Sequence, residues 1–302
     1  MNLLTIEDLR ILDAIDRRGS FAKASEELNK ATSALSYGVQ RLEDRLGITV
    51  FERQGRRSVL TSAGRLLLVE GRKILGAVDL LSAQAKEMAT GWEPRLRIGL
   101  ESTADHDPFF QVLSSFLLKH ESMEIDVSQS VLSGGWEALE HDRIDLLVGA
   151  PGPAPKQKGF RSEVIRRADL VAVIASHHPK AKQCSELESF QQVLPQLRRV
   201  VMHDTSTLEV ARDAGLSVGN QHIYVQTMDQ KLAAQLAGLG IGHLPRKLVE
   251  PYLDSGRLMV LPFANRSPVT YIAWRKSHGG KALKALTERL IEVYQAEGLP
   301  SE

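Results

Sequence analysis

Apolar residues along the first ninety positions recur at helical spacing. Leu9, Leu12 and Ile15 share one side of a predicted first helix ending near Arg18, where Gly19 breaks it and Ser20 can cap the next. Phe21, Ala24 and Leu28 form the stripe of a short second helix. The small pair Ala24 and Ser25 lets a steeply crossing neighbour come close. From Asn29 to Leu46, the residues Leu35, Val39, Leu42 and Leu46 recur at i, i+4, i+7 and i+11, the buried stripe of a third helix. At about 100° per residue, Ser33, Tyr37 and Gln40 point the other way, with Ser36 and Arg41 on the flanks and Asp44 the one acid there. Two features weaken this helix. Ala31 stands where a capping hydroxyl is expected, with Thr32 the alternative cap, and Gly38 costs about 1 kcal/mol relative to alanine.

The pattern then changes twice. After Gly47, ITVFERQGRRSVLT reads as two short strands around a turn with Gly55 at its tip. From Ser62 to Thr90 no proline interrupts the chain, and Leu67, Gly71, Ile74, Val78, Leu81, Ala85 and Met88 alternate steps of four and three, a heptad seam that needs a partner helix. Gly91 and Pro94 mark a linker. Beyond Arg95, LRIGL, MEIDVSQSVL, IDLLVGA, LVAVIA, RRVVM, HIYVQT and TYIAW read as strands. Between them lie helical stretches from Pro108 to Lys119, Trp136 to Asp142, Gln230 to Leu239 and Lys281 to Gln295, so the expectation is an α/β domain with largely parallel sheets.

A polar helix face placed second after a short helix and a tight turn is what a helix-turn-helix protein lays in the DNA major groove. The plainer alternative is a solvated face. Charge favours the first reading only locally. The 302 residues hold 38 Lys plus Arg against 37 Asp plus Glu, no global basic signal. Residues 53 to 73, however, carry Arg53, Arg56, Arg57, Arg65, Arg72 and Lys73 against Glu70 alone, and a basic hairpin beside such a helix suits phosphate or minor-groove contact. The single Cys184 forms no disulfide within the chain, and the acidic N-terminus, MNLLTIEDLR, is unlike a signal peptide. A reducing cytoplasm is therefore the expected compartment, with no membrane span.

The succession LRILDAIDRRGSFAKASEEL, SALSYGVQRLEDRLGITVFER and RRSVLTSAG resembles the N-terminal domain of LysR-type transcriptional regulators, and SALSY, GWE and DAIDRRGSF resemble the YhaJ-like branch of that family. Leu12, Ser25 and the pair Tyr37-Gly38 depart from the family pattern; the last alters the outward face, so the family's base preferences do not carry over. The resemblance implies a winged helix-turn-helix over 1–61, a linker and dimerisation helix over 62–90, and a two-lobed periplasmic-binding-protein-like effector domain over 91–302. Its lobes would comprise 95–163 with 269–302, and 164–268, joined by two crossover strands. The implied partners are double-stranded DNA, further copies of the chain as a dimer through the linker helix or a tetramer, a small-molecule effector and RNA polymerase. No cofactor is implied.

For DNA binding the residues singled out are Ser20, Thr32, Ser33, Ser36, Tyr37, Gln40, Arg41, Arg53, Arg56 and Arg57. In open α/β sheets ligands sit beyond the carboxyl ends of strands, which directs attention to Ser102, Thr103, Ser133, Ala150, Thr205, Ser206 and Thr227. Each hydroxyl alone reads as a helix cap rather than a ligand contact; their shared place at strand ends shifts the set toward a cleft for a small anionic or polar effector. His177-His178-Pro179 reads as a surface turn rather than a metal site, His203-Asp204 as a hydrogen-bonded core or cleft histidine rather than part of a triad, and Trp92, Trp136 and Trp274 as packing. The rival readings are a solute carrier or enzyme in 95–302 with an association module before it, and an architectural DNA-binding protein.

Overall fold

The structure is a computed structural model that describes residues 4–54, 57–155, 159–208, 221–263 and 267–296. Its contacts divide the chain into two units, Met1–Glu87 and Met88–Glu302.

In the first unit, α1 (Ile6–Arg18) begins at a capping box: the Asp8 N–H donates to the Thr5 hydroxyl at 3.2 Å and the Thr5 N–H donates to the Asp8 carboxylate at 2.9 Å. It ends at Gly19, whose φ of 73° is a left-handed conformation open to a residue without a Cβ. Ser20 caps α2 (Phe21–Glu27) as its position implies. The expectation that Thr32 caps α3 (Thr32–Leu46) is corrected. Ala31 is the N-cap and supplies no side-chain bond, whereas Thr32 is already inside the helix and turns its hydroxyl to that of Ser25 at 2.9 Å. The core joins Leu12, Ile15, Ala24, Leu35, Val39, Leu42 and Val50. Strands β1 (Phe51–Gln54) and β2 (Arg57–Leu60) pair antiparallel, Phe51 opposite Leu60. The Glu43 carboxylate ties the end of α3 to them by accepting from the Val50 and Phe51 N–H groups at 2.6 and 3.1 Å. The turn tip at Gly55 lies outside the described residues.

The start of α4 (Ser62–Ala89) packs on this core through glycines. A Cβ on Gly64 would lie 2.3 Å from the Val50 carbonyl oxygen, and one on Gly71 would lie 2.7 Å from Leu9 Cδ2. Arg72 adds ion pairs to Asp13 and Asp16, each at 2.8 Å. Farther along the seam Val78 is half-buried, whereas among the described residues Ile74, Leu81 and Met88 are left 43%, 66% and 62% exposed.

The second unit has two lobes. The first holds β3 (Arg95–Glu101), α5 (His106–Leu117), β4 (Glu124–Ser130), α6 (Ser133–Glu140), β5 (Leu146–Pro151) and β6 (Phe160–Arg167). The second holds β7 (Leu170–Ala175), α7 (Leu187–Val193), β8 (Arg199–Met202), β9 (His222–Val225), α8 (Met228–Leu236), β10 (Gly242–Pro245), α9 (Arg246–Asp254) and β11 (Leu258–Val260). The chain then returns to the first lobe with β12 (Val269–Arg275) and α10 (Lys281–Ala296). The first sheet runs β4-β3-β5-β12-β6, with β12 antiparallel to both neighbours. In the second lobe β10 and β11 flank β7, both antiparallel, and β8 pairs parallel with β9.

The sheets are therefore mixed rather than largely parallel, because three strands, β6, β10 and β11, escape the apolar-run pattern and two of them oppose β7. Leu96, Ile98, Val148 and Ile272 of the first sheet pack against Phe109, Phe116, Leu283, Leu286 and Leu290 of α5 and α10. The connections between lobes lie side by side, where the Ala168 N–H donates to the Pro268 carbonyl at 2.9 Å.

Candidate functional site

Burial of Leu35, Val39 and Leu42 turns the opposite face of α3 outward, where Ser33, Ser36, Tyr37, Gln40 and Arg41 are exposed, Tyr37 at 63%. The Arg41 guanidinium lies 5.8 Å from the Tyr37 ring centroid, a cation–π pair that orders both side chains while leaving their polar ends outward. Ser36 donates its hydroxyl to the Thr32 carbonyl at 3.1 Å, so it faces outward as an acceptor. Ser20 is engaged as a cap, accepting from the Lys23 N–H at 3.3 Å. Arg53 is exposed on β1. Arg56 and the side chain of Arg57 lie outside the described residues. The face thus displays hydroxyl, phenol, amide and guanidinium groups, and an exposed arginine stands on the neighbouring hairpin.

In the second unit a cavity of about 600 Å³ opens between the lobes. Ser102 and Thr103, just after β3, line it as the strand-end rule anticipates; so do Asp105, Arg166, Lys247 and Tyr294, among others. Ser102 is buried and donates its hydroxyl to Glu101 at 3.2 Å, whereas Thr103 is half-buried. Lys247 of the second lobe reaches Asp105 at 3.1 Å and Asp107 at 2.6 Å in the first. That bridge holds the Asp107 carboxyl below the usual carboxylate range and pushes Lys247 up. The Tyr294 hydroxyl donates to the Asp105 carbonyl at 2.7 Å, fixing the turn from which both aspartates project. The cavity wall therefore offers hydroxyls and charges of both signs, suited to orienting a small polar molecule.

The remaining strand-end residues are elsewhere. Ala150 is fully buried inside β5, packed with Trp136, because the strand continues to Pro151 rather than stopping at Gly149. Thr227 caps α8, accepting from the Gln230 N–H at 3.2 Å. Ser133, Thr205 and Ser206 do come together, but where the lobes touch directly: the Thr205 hydroxyl accepts from the Val131 N–H at 3.0 Å, and Asp204 binds the Ser133 N–H.

Two family models cover nearly all of this architecture. One described as "Bacterial regulatory helix-turn-helix protein, lysR family" matches residues 6–65, and one described as "LysR substrate binding domain" matches residues 89–295. The chain belongs to the LysR family. Similar curated proteins include the probable HTH-type transcriptional regulator YhaJ of Escherichia coli K12, 35% identical over 92% of this chain and 93% of YhaJ. YeeY of the same organism, also an HTH-type transcriptional regulator, is 34% identical over 92% and 90%. Among solved structures, full-length LysG from Corynebacterium glutamicum with bound effector Arg shares the fold, with a TM-score of 0.53 at 19% identity over 99% of this chain and 100% of LysG.

As a LysR-type transcriptional regulator, the protein binds DNA through the helix-turn-helix unit and carries an effector-binding domain; it is not an enzyme. The side chains that hinted at other chemistry have structural roles. His178 accepts from the Lys180 N–H at 3.1 Å in a surface turn, and burial holds its imidazole below the usual range. His203 departs from expectation: it is exposed and stacked on Tyr224, centroids 5.2 Å apart. Trp136 is buried and donates to the Pro151 carbonyl at 3.0 Å. Among the described residues no group of three metal-ligating side chains assembles, and no helix is long and apolar enough to cross a membrane.

Proposed function

We propose that two copies of this regulator, paired along α4, place two α3 helices in successive major grooves of a dyad-symmetric promoter site. Tyr37 and Gln40, with Ser33, Ser36 and Arg41, contact base edges, while Arg53, Arg56 and Arg57 contact phosphates, as does Ser20 at the start of α2. The observation that carries this reading is the polar outward face of α3, held rigid by a buried stripe and tied to the hairpin through Glu43. The work is done in the cytoplasm, and RNA polymerase is the downstream partner.

Losing Tyr37 or Gln40 to alanine is expected to cost about 1 to 3 kcal/mol on the cognate site and to relax specificity at one position. Arg53→Ala should instead weaken all sequences alike and flatten the salt dependence by about one unit of slope. Binding to specific and random duplexes across a salt series separates the two, and an unchanged specificity ratio in both helix variants would remove α3 from the groove.

The effector occupies the inter-lobe cavity, against Ser102 and Thr103 on one side and the α9 start on the other. A ligand touching both lobes favours one lobe orientation, and only that differential affinity shifts the DNA-bound state. Thr103→Val keeps the side-chain shape and deletes the hydroxyl, so effector binding should weaken by about 1 to 3 kcal/mol with DNA affinity unaltered in its absence. Calorimetric titration of an effector found by thermal shift checks this; equal affinity in the variant and wild type would place the ligand elsewhere.

A further inference from the structure

The first lobe has a cavity of its own. Strand β6 is the outer strand of its sheet, and α10 packs against it, leaving a recess of about 540 Å³ between the helix and the strand. Its lining comes from β6, β12, α10 and the segment between the last two, so it is separate from the inter-lobe cavity. Gln295, near the end of α10, fastens the helix to the strand by donating its side-chain amide to the Val164 carbonyl at 2.8 Å. The apolar part of the wall is Trp274 and Ile291, both half-buried, with the buried Leu283.

Three exposed charges around that wall, Arg161, Glu163 and Lys276, have no side-chain ion pair or hydrogen bond among the described residues. The pairing of β6 with β12 sets Arg161 opposite Trp274, and Glu163, two residues on, lies on the same face of the strand. The other charges in the lining are taken up. Lys284 stands 4.0 Å from Glu288, and His278 stands 3.6 Å from both Glu93 and Asp145. The start of α10 already has its acceptor, because Glu93 takes the Ala282 N–H at 2.9 Å.

Thr287 is the second, independent sign of a ligand. It lines the recess, it is 3% exposed, and its hydroxyl has no partner among the described residues. A threonine inside a helix commonly returns its hydroxyl to the carbonyl one turn back; this one does not. A buried hydroxyl left without a bond destabilises the empty protein, and a molecule in the recess that accepted from it would remove that cost.

We propose that this recess binds a small zwitterion with an apolar body, an α-amino acid carrying a large apolar side chain. Its carboxylate pairs with Arg161 and Lys276 and accepts from Thr287, its ammonium pairs with Glu163, and its side chain lies on Trp274, Leu283 and Ile291. A simple anion would face the charge of Glu163, and a simple cation would leave two positive groups unmatched; a ligand of both signs uses all three. The volume lies in the range of small-molecule sites. Since the lining belongs to one lobe, occupancy stabilises that lobe and carries no preference of its own between lobe orientations.

Calorimetric titration of the full chain tests this, with L-phenylalanine and L-leucine as the aromatic and aliphatic arms. At least one should bind saturably, and its analogues lacking the ammonium or the carboxylate, 3-phenylpropanoate and phenethylamine or 4-methylpentanoate and isoamylamine, should bind at least about tenfold more weakly. Arg161→Ala and Glu163→Gln, both at exposed positions, should each weaken the amino acid by about tenfold or more, while Thr103→Val in the inter-lobe cavity should change it less than about twofold. Thr287→Val should lower affinity and yet raise the melting temperature of the ligand-free protein, a pairing that a purely structural hydroxyl would not give. Binding of neither amino acid, equal binding of an analogue, or full affinity in Arg161→Ala, Glu163→Gln or Thr287→Val would each overturn the proposal, as would loss of binding in Thr103→Val.

Discussion

Glu101→Gln is expected to stabilise the effector-binding unit by about 3 kcal/mol at pH 7, a gain that grows with pH. Glu101 ends β3 and is 2% exposed. One carboxyl oxygen accepts from the Leu132 N–H at 3.3 Å and from the Ser102 hydroxyl at 3.2 Å; the other has no partner among the described residues. Burial, and to a smaller degree the neighbouring charge of Asp204, pushes the carboxyl up from an ordinary 4.5 to about 8. An acid whose folded pKa is raised contributes stability that is complete below its unfolded pKa and is lost as pH rises toward the folded one. The loss here runs from pH 4.5 to about 8. At pH 7 roughly 2.5 units separate the solution from the unfolded pKa, at about 1.4 kcal/mol per unit. Glutamine fills nearly the same volume and never ionises. Denaturant midpoints of wild type and variant at pH 5, 7 and 9 should diverge progressively, and parallel behaviour across that range would mean that Glu101 keeps its charge in the fold.

Leu81→Asp should separate paired chains. The seam residues Ile74, Leu81 and Met88 are left exposed by their own chain, with Leu66 and Leu80 on the same helix 64% and 45% exposed. So long an apolar edge is stable in water only when another surface covers it. If that surface is the α4 of a second copy, an aspartate at its centre is buried without a partner at a cost of several kcal/mol. Each helix-turn-helix unit would then bind its half-site alone, and affinity for the full site should fall by about 10² to 10⁴ through lost multivalency. Sedimentation velocity reads the first effect and full-site against half-site binding the second. An unchanged assembly with full affinity would show that α4 is not the main contact between copies.

Local patterns were legible and long-range ones were not. Helices α1 to α3 follow from the spacing of Leu9, Leu12, Ile15, Leu35, Val39 and Leu42, because each stripe is defined within a few turns. Strand β6, FRSEVIRR, shows no strand pattern in the sequence because only Ile165 is buried along it; its identity comes from pairing with β12, which places Thr270 opposite Arg166 across about a hundred residues of chain. Strand β10, GHLP, is too short and too rich in turn formers to read as a strand. At the cavity, Ser102 and Thr103 obey the strand-end rule, but Thr227 shows that the same rule selects helix caps. Lys247 belongs to no motif and acquires its role only when α9 meets the loop bearing Asp105. Asp204 stood out in the sequence for the wrong reason, as a companion of His203, since its partners lie some seventy residues earlier.

The place of β12 in the first sheet also bears on how the chain is made. This strand fills the gap between β5 and β6, and α10 after it brings Leu283, Leu286 and Leu290 to the core. During synthesis the second lobe, a continuous segment, is complete before the first receives the strand that joins β5 to β6. Until then β5 and β6 each present an unpaired edge, the kind of surface on which nascent chains associate with one another. The first lobe is therefore the late, slow step, closing a loop of about one hundred residues between Arg166 and Thr270. A chain that stops after β11 but before Val269 has the full sequence of its DNA-binding unit and second lobe while its first lobe lacks both closing elements, β12 and α10.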